Sequence, residues 1–83
     1  MLPPYVAPMT VDPSSPEYVY VQVADAIAAD IAAGKLPRGA RLPNERDLAT
    51  SYGIAVGTAR RAVEELRQRG LVRTVPAKGT YVQ

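Results

Sequence analysis

Three glycines divide this chain. Gly34, Gly53 and Gly70 each close a short run of apolar residues spaced for a helix, and after Gly70 the spacing changes. In the first run Tyr20, Val23, Ala24, Ile27 and Ile31 form a single helical stripe. Ser15, Pro16 and Glu17 supply that helix with an N-cap, a proline at the first position and a first-turn acid. In the second run Leu48, Ala49 and Tyr52 give a helix of about two and a half turns its buried side. Asn44 stands at its cap, with Asp47 three residues on, much like a capping box. In the third, Ala59, Ala62, Val63 and Leu66 make the stripe, and Gly70 takes the C′ position.

The segments between these runs complete the architecture. Residues 37–43 read as a connector with a proline at each end. Ile54 and Ala55 make a tight turn into the third helix, and a glycine-containing turn between two helices is the helix-turn-helix pattern, shared with many other helical hairpins. Residues 71–75 are rich in strand formers, 76–79 form a turn, and 80–82 are strand formers again, which describes a hairpin. The expected fold is mainly α with a small β-hairpin: a winged helix-turn-helix of three helices plus a two-stranded wing, spanning residues 17–83. Residues 1–16 hold five of the eight prolines and no periodic pattern, and read as a flexible leader.

Composition narrows the chemistry. The chain has no Cys and no His, so disulfides, thiolate metal sites and histidine-based nucleophile activation are excluded. Asp25, Asp30, Glu45 and Asp47 fall on outward helix faces, with no nucleophile partner, Gly-rich phosphate loop or Ca²⁺-type spacing. No catalytic residue, metal ligand or cofactor is expected, and the chain does not read as an enzyme. No apolar run reaches the roughly 18 residues of a membrane span, and the N-terminus lacks signal-peptide character. A cytoplasmic protein without membrane contact is the expectation.

Charge is unevenly spread. Residues 1–33 hold Asp12, Glu17, Asp25 and Asp30 and no basic residue, a net −4. Residues 34–83 hold all ten Lys and Arg against Glu45, Asp47, Glu64 and Glu65, a net +6. Basic charge gathered in one half suits a polyanion-binding surface, and a solvated face would account for it equally well. Within that half, Arg60 and Arg61 sit at the start of the third helix, where the helix dipole disfavours cations. Gly57, Arg61, Glu64 and Gln68 point most directly away from the core stripe, with Arg60 on the flank. Surface pairs Arg60–Glu64 and Arg61–Glu65 are the bland explanation, but Arg placed before Glu is the weaker orientation of a pair worth about 0.2–0.5 kcal/mol.

These residues resemble the N-terminal DNA-binding domain of the GntR family of bacterial transcription regulators. The matching pieces are Tyr20-x-Gln22-Val23-Ala24, Ile31-x-x-Gly34-x-Leu36, Gly39-x-x-Leu42-Pro43, Glu45-Arg46-x-Leu48-Ala49 and Thr58-x-Arg60-x-Ala62. They continue through Leu66, Gly70-Leu71-Val72 and Gly79-Thr80-Tyr81-Val82, covering about residues 18–83 in order. The turn that usually reads Val-Ser-Arg is here Ile54-Ala55-Val56, which removes a hydroxyl cap and an arginine that often reaches DNA. Arg61 stands where Glu or Gln is usual. The stretch Val56-Gly57-Thr58-x-Arg60-Arg61 resembles that of short actinobacterial members.

The resemblance implies a sequence-specific, double-stranded DNA-binding transcription regulator of repressor type. Helix 55–69 would read the major groove, and the wing 71–83 would touch the backbone or minor groove. The implied DNA-binding residues are Arg46, Gly57, Thr58, Arg60, Arg61, Lys78 and Gly79. Arg46 and Arg60 match family positions that contact DNA, and Lys78 and Gly79 form the wing tip. Arg46 has pairing with Glu45 or Asp47 as its other reading. Thr58 either donates to a phosphate or bonds within the first turn. Gly57 either lets the backbone approach the duplex or relieves crowding at the helix start. Arg67, Arg69 and Arg73 read as solvent or phosphate neighbours, and Tyr20, Tyr52 and Tyr81 as packing at the core edge. With Ala55 unable to cap, the first turn of the helix is expected to fray when free and to gain protection on DNA.

The resemblance further implies a two-fold operator, with recognition helices about 34–36 Å or a multiple apart. The family's usual effector-binding, dimerising domain is not in this chain, so a homodimer weak in solution and formed on DNA is expected. The alternative is a winged-helix module that binds protein.

Overall fold

The computed structural model describes residues 18–83. In chain order they form α1 (Val19–Ala32), α2 (Glu45–Tyr52), α3 (Val56–Gln68), β1 (Val72–Val75) and β2 (Gly79–Val82). Three helices and an antiparallel hairpin are the expected winged helix-turn-helix. The expected leader and the Ser15–Glu17 helix start lie outside the described residues. Within the described residues helix α1 opens at Val19 with Tyr18 at its N-cap, no side-chain cap and no acid in its first turn.

The glycine stops behave as the spacing indicates. Gly34, Gly53 and Gly70 take positive φ values of 81°, 66° and 77°. The amide of the next residue then folds back onto the helix: Lys35 to the Asp30 carbonyl at 2.9 Å, Ile54 to that of Ala49 at 3.0 Å, Leu71 to that of Leu66 at 3.0 Å. This closure satisfies carbonyls that a helix end otherwise leaves open. Helix α2 is also capped at its start, where Asn44 Oδ1 accepts from the Asp47 amide at 2.8 Å.

The three apolar stripes meet in one core. Val23, Ala24 and Ile27 of α1 pack with Leu48, Ala49 and Tyr52 of α2 and with Ala59, Ala62, Val63 and Leu66 of α3, all buried. Tyr20 and Ile31, at the ends of the first stripe, are only partly buried. Leu36 and Leu42 from the connector and Val72 and Val82 from the hairpin seal the other side. Asp30, expected on an outward face, is buried because the chain turns back over it after Gly34, where the Lys35 and Leu36 amides both donate to its carbonyl.

The connector is more ordered than its breakers suggest. The Gly39 amide donates to the Val82 carbonyl at 2.9 Å, the Val82 amide to Ala40 at 2.9 Å, and the Leu42 amide to Thr80 at 2.8 Å. Arg41 bridges Tyr81 in antiparallel fashion. Residues 39–42 therefore line the free edge of β2, which fixes the wing to the body of the domain. The hairpin turn is also tighter than expected. Gly79 is the first residue of β2 and pairs with Val75, leaving a three-residue loop. There the Lys78 amide donates to the Val75 carbonyl at 3.0 Å, Pro76 follows Val75, and Ala77 takes a left-handed φ of 63°.

Candidate nucleic-acid interface

The start of α3 is open on three counts. Ala55, its N-cap residue, offers no side-chain acceptor to the first-turn amides, and only its carbonyl is used, by the Thr58 and Ala59 amides. Ala55, Val56 and Gly57 are all exposed, and Thr58 is half-buried. A Cβ added at Gly57 would meet nothing within 4 Å, and its φ lies outside the left-handed region. Crowding therefore does not require glycine at this position. Neither does backbone geometry.

Arg60 and Arg61 diverge. Arg60 Nε donates to Glu45 Oε1 at 3.1 Å, reaching across to the first turn of α2 where Arg46 is the next residue. The Arg61 guanidinium instead lies over the Tyr20 ring of α1, 4.2 Å from its centroid, a cation–π contact. Neither arginine makes the i,i+4 pair that helix spacing offers. The glutamates that would have taken them are engaged by other arginines. Arg67 donates to Glu64 and, at 2.7 Å, to Thr74 Oγ1 on β1. Arg69 bridges Glu65 at 2.8 Å and Asp25 of α1 at 2.9 Å. Arg67 and Arg69, which read as solvent or phosphate neighbours in the sequence, are braces within the domain. A hydrogen bond from Arg67 and then its charge hold the Glu64 carboxyl below the ordinary glutamate range. The Glu65 and Asp25 hydrogen bonds raise the guanidinium pKa of Arg69 further.

Arg67 also ties α3 to the wing. Thr74, which it holds, lies opposite Thr80 in the hairpin, and the two hydroxyls are hydrogen-bonded at 2.9 Å. Arg46 is exposed on α2 and makes no ion pair with Glu45 or Asp47 among the described residues. Lys78 is exposed at the hairpin turn and shares one shallow cleft with Arg38 and Arg73. Gly79 is half-buried, with a φ of 142°, and a Cβ there would lie 2.7 Å from Arg41 Nε. A second cleft, lined by Arg41, Asn44, Glu45, Val63, Gly79 and Thr80, runs between the wing and the start of α2.

The structure thus gathers Gly57, Thr58 and Arg60 at the open end of α3, with Arg46 beside the Glu45 partner of Arg60. It sets Lys78 and Gly79 on the wing, and turns Arg61 toward α1. Sequence reasoning missed Arg41, whose place beside Gly79 comes from the bridge to Tyr81. Nothing local announces it, because Pro37, Gly39 and Pro43 around it mark a loop. Among the described residues no group of His, Cys, Asp or Glu could hold a metal ion, and no helix is long and apolar enough to cross a membrane.

Similarity to known proteins has the same outline. The family described as bacterial regulatory proteins, gntR family, matches residues 19–82. The HTH-type transcriptional regulator SmoD of Agrobacterium fabrum is 43% identical over 65 residues, 78% of this chain and 28% of SmoD. Other curated relatives carry the word repressor in their names. YtrA from Sulfolobus acidocaldarius, a GntR-family transcription factor, superposes with a TM-score of 0.83 at 32% identity, covering 89% of this chain and 78% of that one. The DNA-binding domain of AraR, solved in complex with operator ORE1, gives 0.73 at 33% identity, over 77% of this chain and 78% of that one. The chain spans between a quarter and two thirds of the length of the first curated relatives it matches. This chain belongs to the GntR family of bacterial regulatory proteins.

Proposed function

We propose that the chain is a sequence-specific, double-stranded DNA-binding transcription regulator and acts as a repressor. In this reading α3 enters the major groove, which admits one α-helix, with Gly57, Thr58 and Arg60 toward the bases. Arg46 contacts the adjacent backbone, and the wing lies along the backbone or minor groove through Lys78 and Gly79. Arg61 swings from Tyr20 to a phosphate, because a cation–π contact at an exposed site is worth only about 0.5–1 kcal/mol. The protein works in the cytoplasm, at the nucleoid, and its role is regulatory and not catalytic.

The observation that carries this reading is the open first turn of α3. Its exposed glycine is required neither by space nor by φ, and it lies on a helix that also bears Arg60. Glycine in a helix is about 1 kcal/mol less favourable than alanine, so its value lies outside the free domain. Close approach of backbone to a duplex is such a use. The AraR DNA-binding domain, which shares this fold, is solved in complex with operators, and that supports duplex DNA as the partner.

The operator has two-fold symmetry, and two copies of the chain pair mainly on the DNA, weakly in solution. Binding is steeply salt-dependent, since phosphate contacts release counterions. Selection of bound sequences from a random duplex pool tests the function. Enrichment of an inverted repeat is expected. Recovery of sequences no different from the starting pool would contradict it.

A further inference from the structure

Among the described residues only two large hydrophobic side chains are exposed, Tyr18 and Val56, and Val56 is 40% exposed. It is the first residue of α3, between the exposed Ala55 and Gly57. The other exposed side chains along that helix are polar: Arg60, Arg61, Glu64 and Gln68. Val56 belongs neither to the core nor to the partly buried residues packed on it. Single apolar residues on a surface are common, so exposure alone assigns nothing. Position and chemistry do more.

A residue at the N-terminus of a groove-reading helix reaches base edges. Valine has neither donor nor acceptor there, so it cannot use the hydrogen-bond code of the major groove. The apolar feature on those edges is the C5-methyl of thymine. Cytosine methylated at C5 carries the same group on the same ring atom. The branched Cβ of Val56 leaves few side-chain conformations, so little freedom is lost on contact. Gly57 beside it adds no side chain to hold the helix away.

Resting on the DNA-reading function proposed above, the geometry points to Val56 as a specificity-determining residue that packs against the C5-methyl of a pyrimidine in the major groove. The tip of α3 then reads by shape, and Arg60 behind it reads by charge and hydrogen bonding.

The test begins with a duplex selected from the random pool. An unenriched pool means that the DNA-reading function itself fails, a result distinct from failure of the Val56 contact on a duplex that does bind. Each thymine of the selected duplex is replaced singly by deoxyuridine, and each cytosine by 5-methylcytosine. Each duplex is titrated by fluorescence anisotropy against the wild type, Val56→Ser and Val56→Ala. At one position per half-site, loss of the methyl weakens wild-type binding, or its addition tightens binding, by about fourfold, as for one buried methyl-sized group. The deoxyuridine series identifies thymine as the source, and the 5-methylcytosine series identifies methylated cytosine. Both variants are expected to fold with the wild-type unfolding midpoint and to ignore that change. No responsive position, or an equal response in wild type and both variants, overturns the assignment.

Discussion

Arg60 on α3 and Glu45 on α2 are joined by a 3.1 Å charge-assisted hydrogen bond across the helix-turn-helix. Both side chains are solvent-accessible, at 63% and 37%, so the bond contributes little to folding. Its effect is one of aim: it holds the guanidinium at the junction of the two helices. Arg60→Ala is expected to weaken specific duplex binding by about 1–3 kcal/mol, as for loss of a bidentate guanine contact, with little change in non-specific binding. Its unfolding free energy in urea should fall by no more than about 1 kcal/mol. Anisotropy titrations on selected and scrambled duplexes, beside urea melts, separate the two effects.

Gly57 leads to an expectation of opposite signs. Alanine fits there without contact and without φ strain, and helix propensity favours it by up to about 1 kcal/mol. Gly57→Ala should therefore raise the thermal midpoint while weakening operator binding. A variant that gains stability and keeps full affinity would place the duplex away from this turn.

The wing separates geometry from charge. At Gly79 the φ of 142° strains any residue but glycine, while the flexible end of Arg41 could move aside for a Cβ. Gly79→Ala should destabilise the domain by about 1–3 kcal/mol in urea unfolding. Lys78 is exposed, and Lys78→Ala should leave stability unchanged. It should weaken binding to every duplex alike and lower the slope of log affinity against log salt by about one.

The uncapped start of α3 contrasts with α2, where Asn44 holds the Asp47 amide. Ala55→Ser restores a hydroxyl acceptor and should stabilise the domain by about 0.5–2 kcal/mol. In the wild type, amides 55–57 should exchange quickly when free and slowly on operator, since helix N-termini bind phosphate. In Ala55→Ser that difference should shrink. Hydrogen exchange read residue by residue checks both statements.

Glu64 supplies a pH signature. Its carboxyl is lowered from the ordinary 4.5 by the hydrogen bond and charge of Arg67. A folded pKa below the unfolded one means the stabilisation is complete above the ordinary glutamate range and is lost as pH falls through the lowered value. The stability difference between wild type and Glu64→Gln should be small at neutral pH and vanish in acid. Urea unfolding at several pH values below neutrality measures it.

Much of this architecture was legible because local rules and tertiary packing agree. Gly34, Gly53 and Gly70 end helices as their positions after apolar stripes indicate, and every stripe residue expected on α2 and α3 is buried. Residues 39–42 were hidden because Pro37, Gly39 and Pro43 mark a loop. Their pairing depends on the edge of β2, far downstream in sequence. The ion pairs were hidden for a related reason. Spacing along one helix offers Arg60 to Glu64, but the fold brings Glu45 of α2 within reach, and Arg67 takes Glu64. Arg61 turned to Tyr20 because α1 packs against α3, a contact that no local pattern in either helix announces.

The orientation of α3 against a duplex is tested most directly by amide chemical-shift mapping of the 83-residue chain on addition of a selected duplex. The largest changes are expected at Arg46, at residues 56–60 and at Lys78 and Gly79, with those on α1 confined to the Tyr20 neighbourhood as Arg61 leaves it. Changes centred on the rest of α1, with the start of α3 unmoved, would contradict the account.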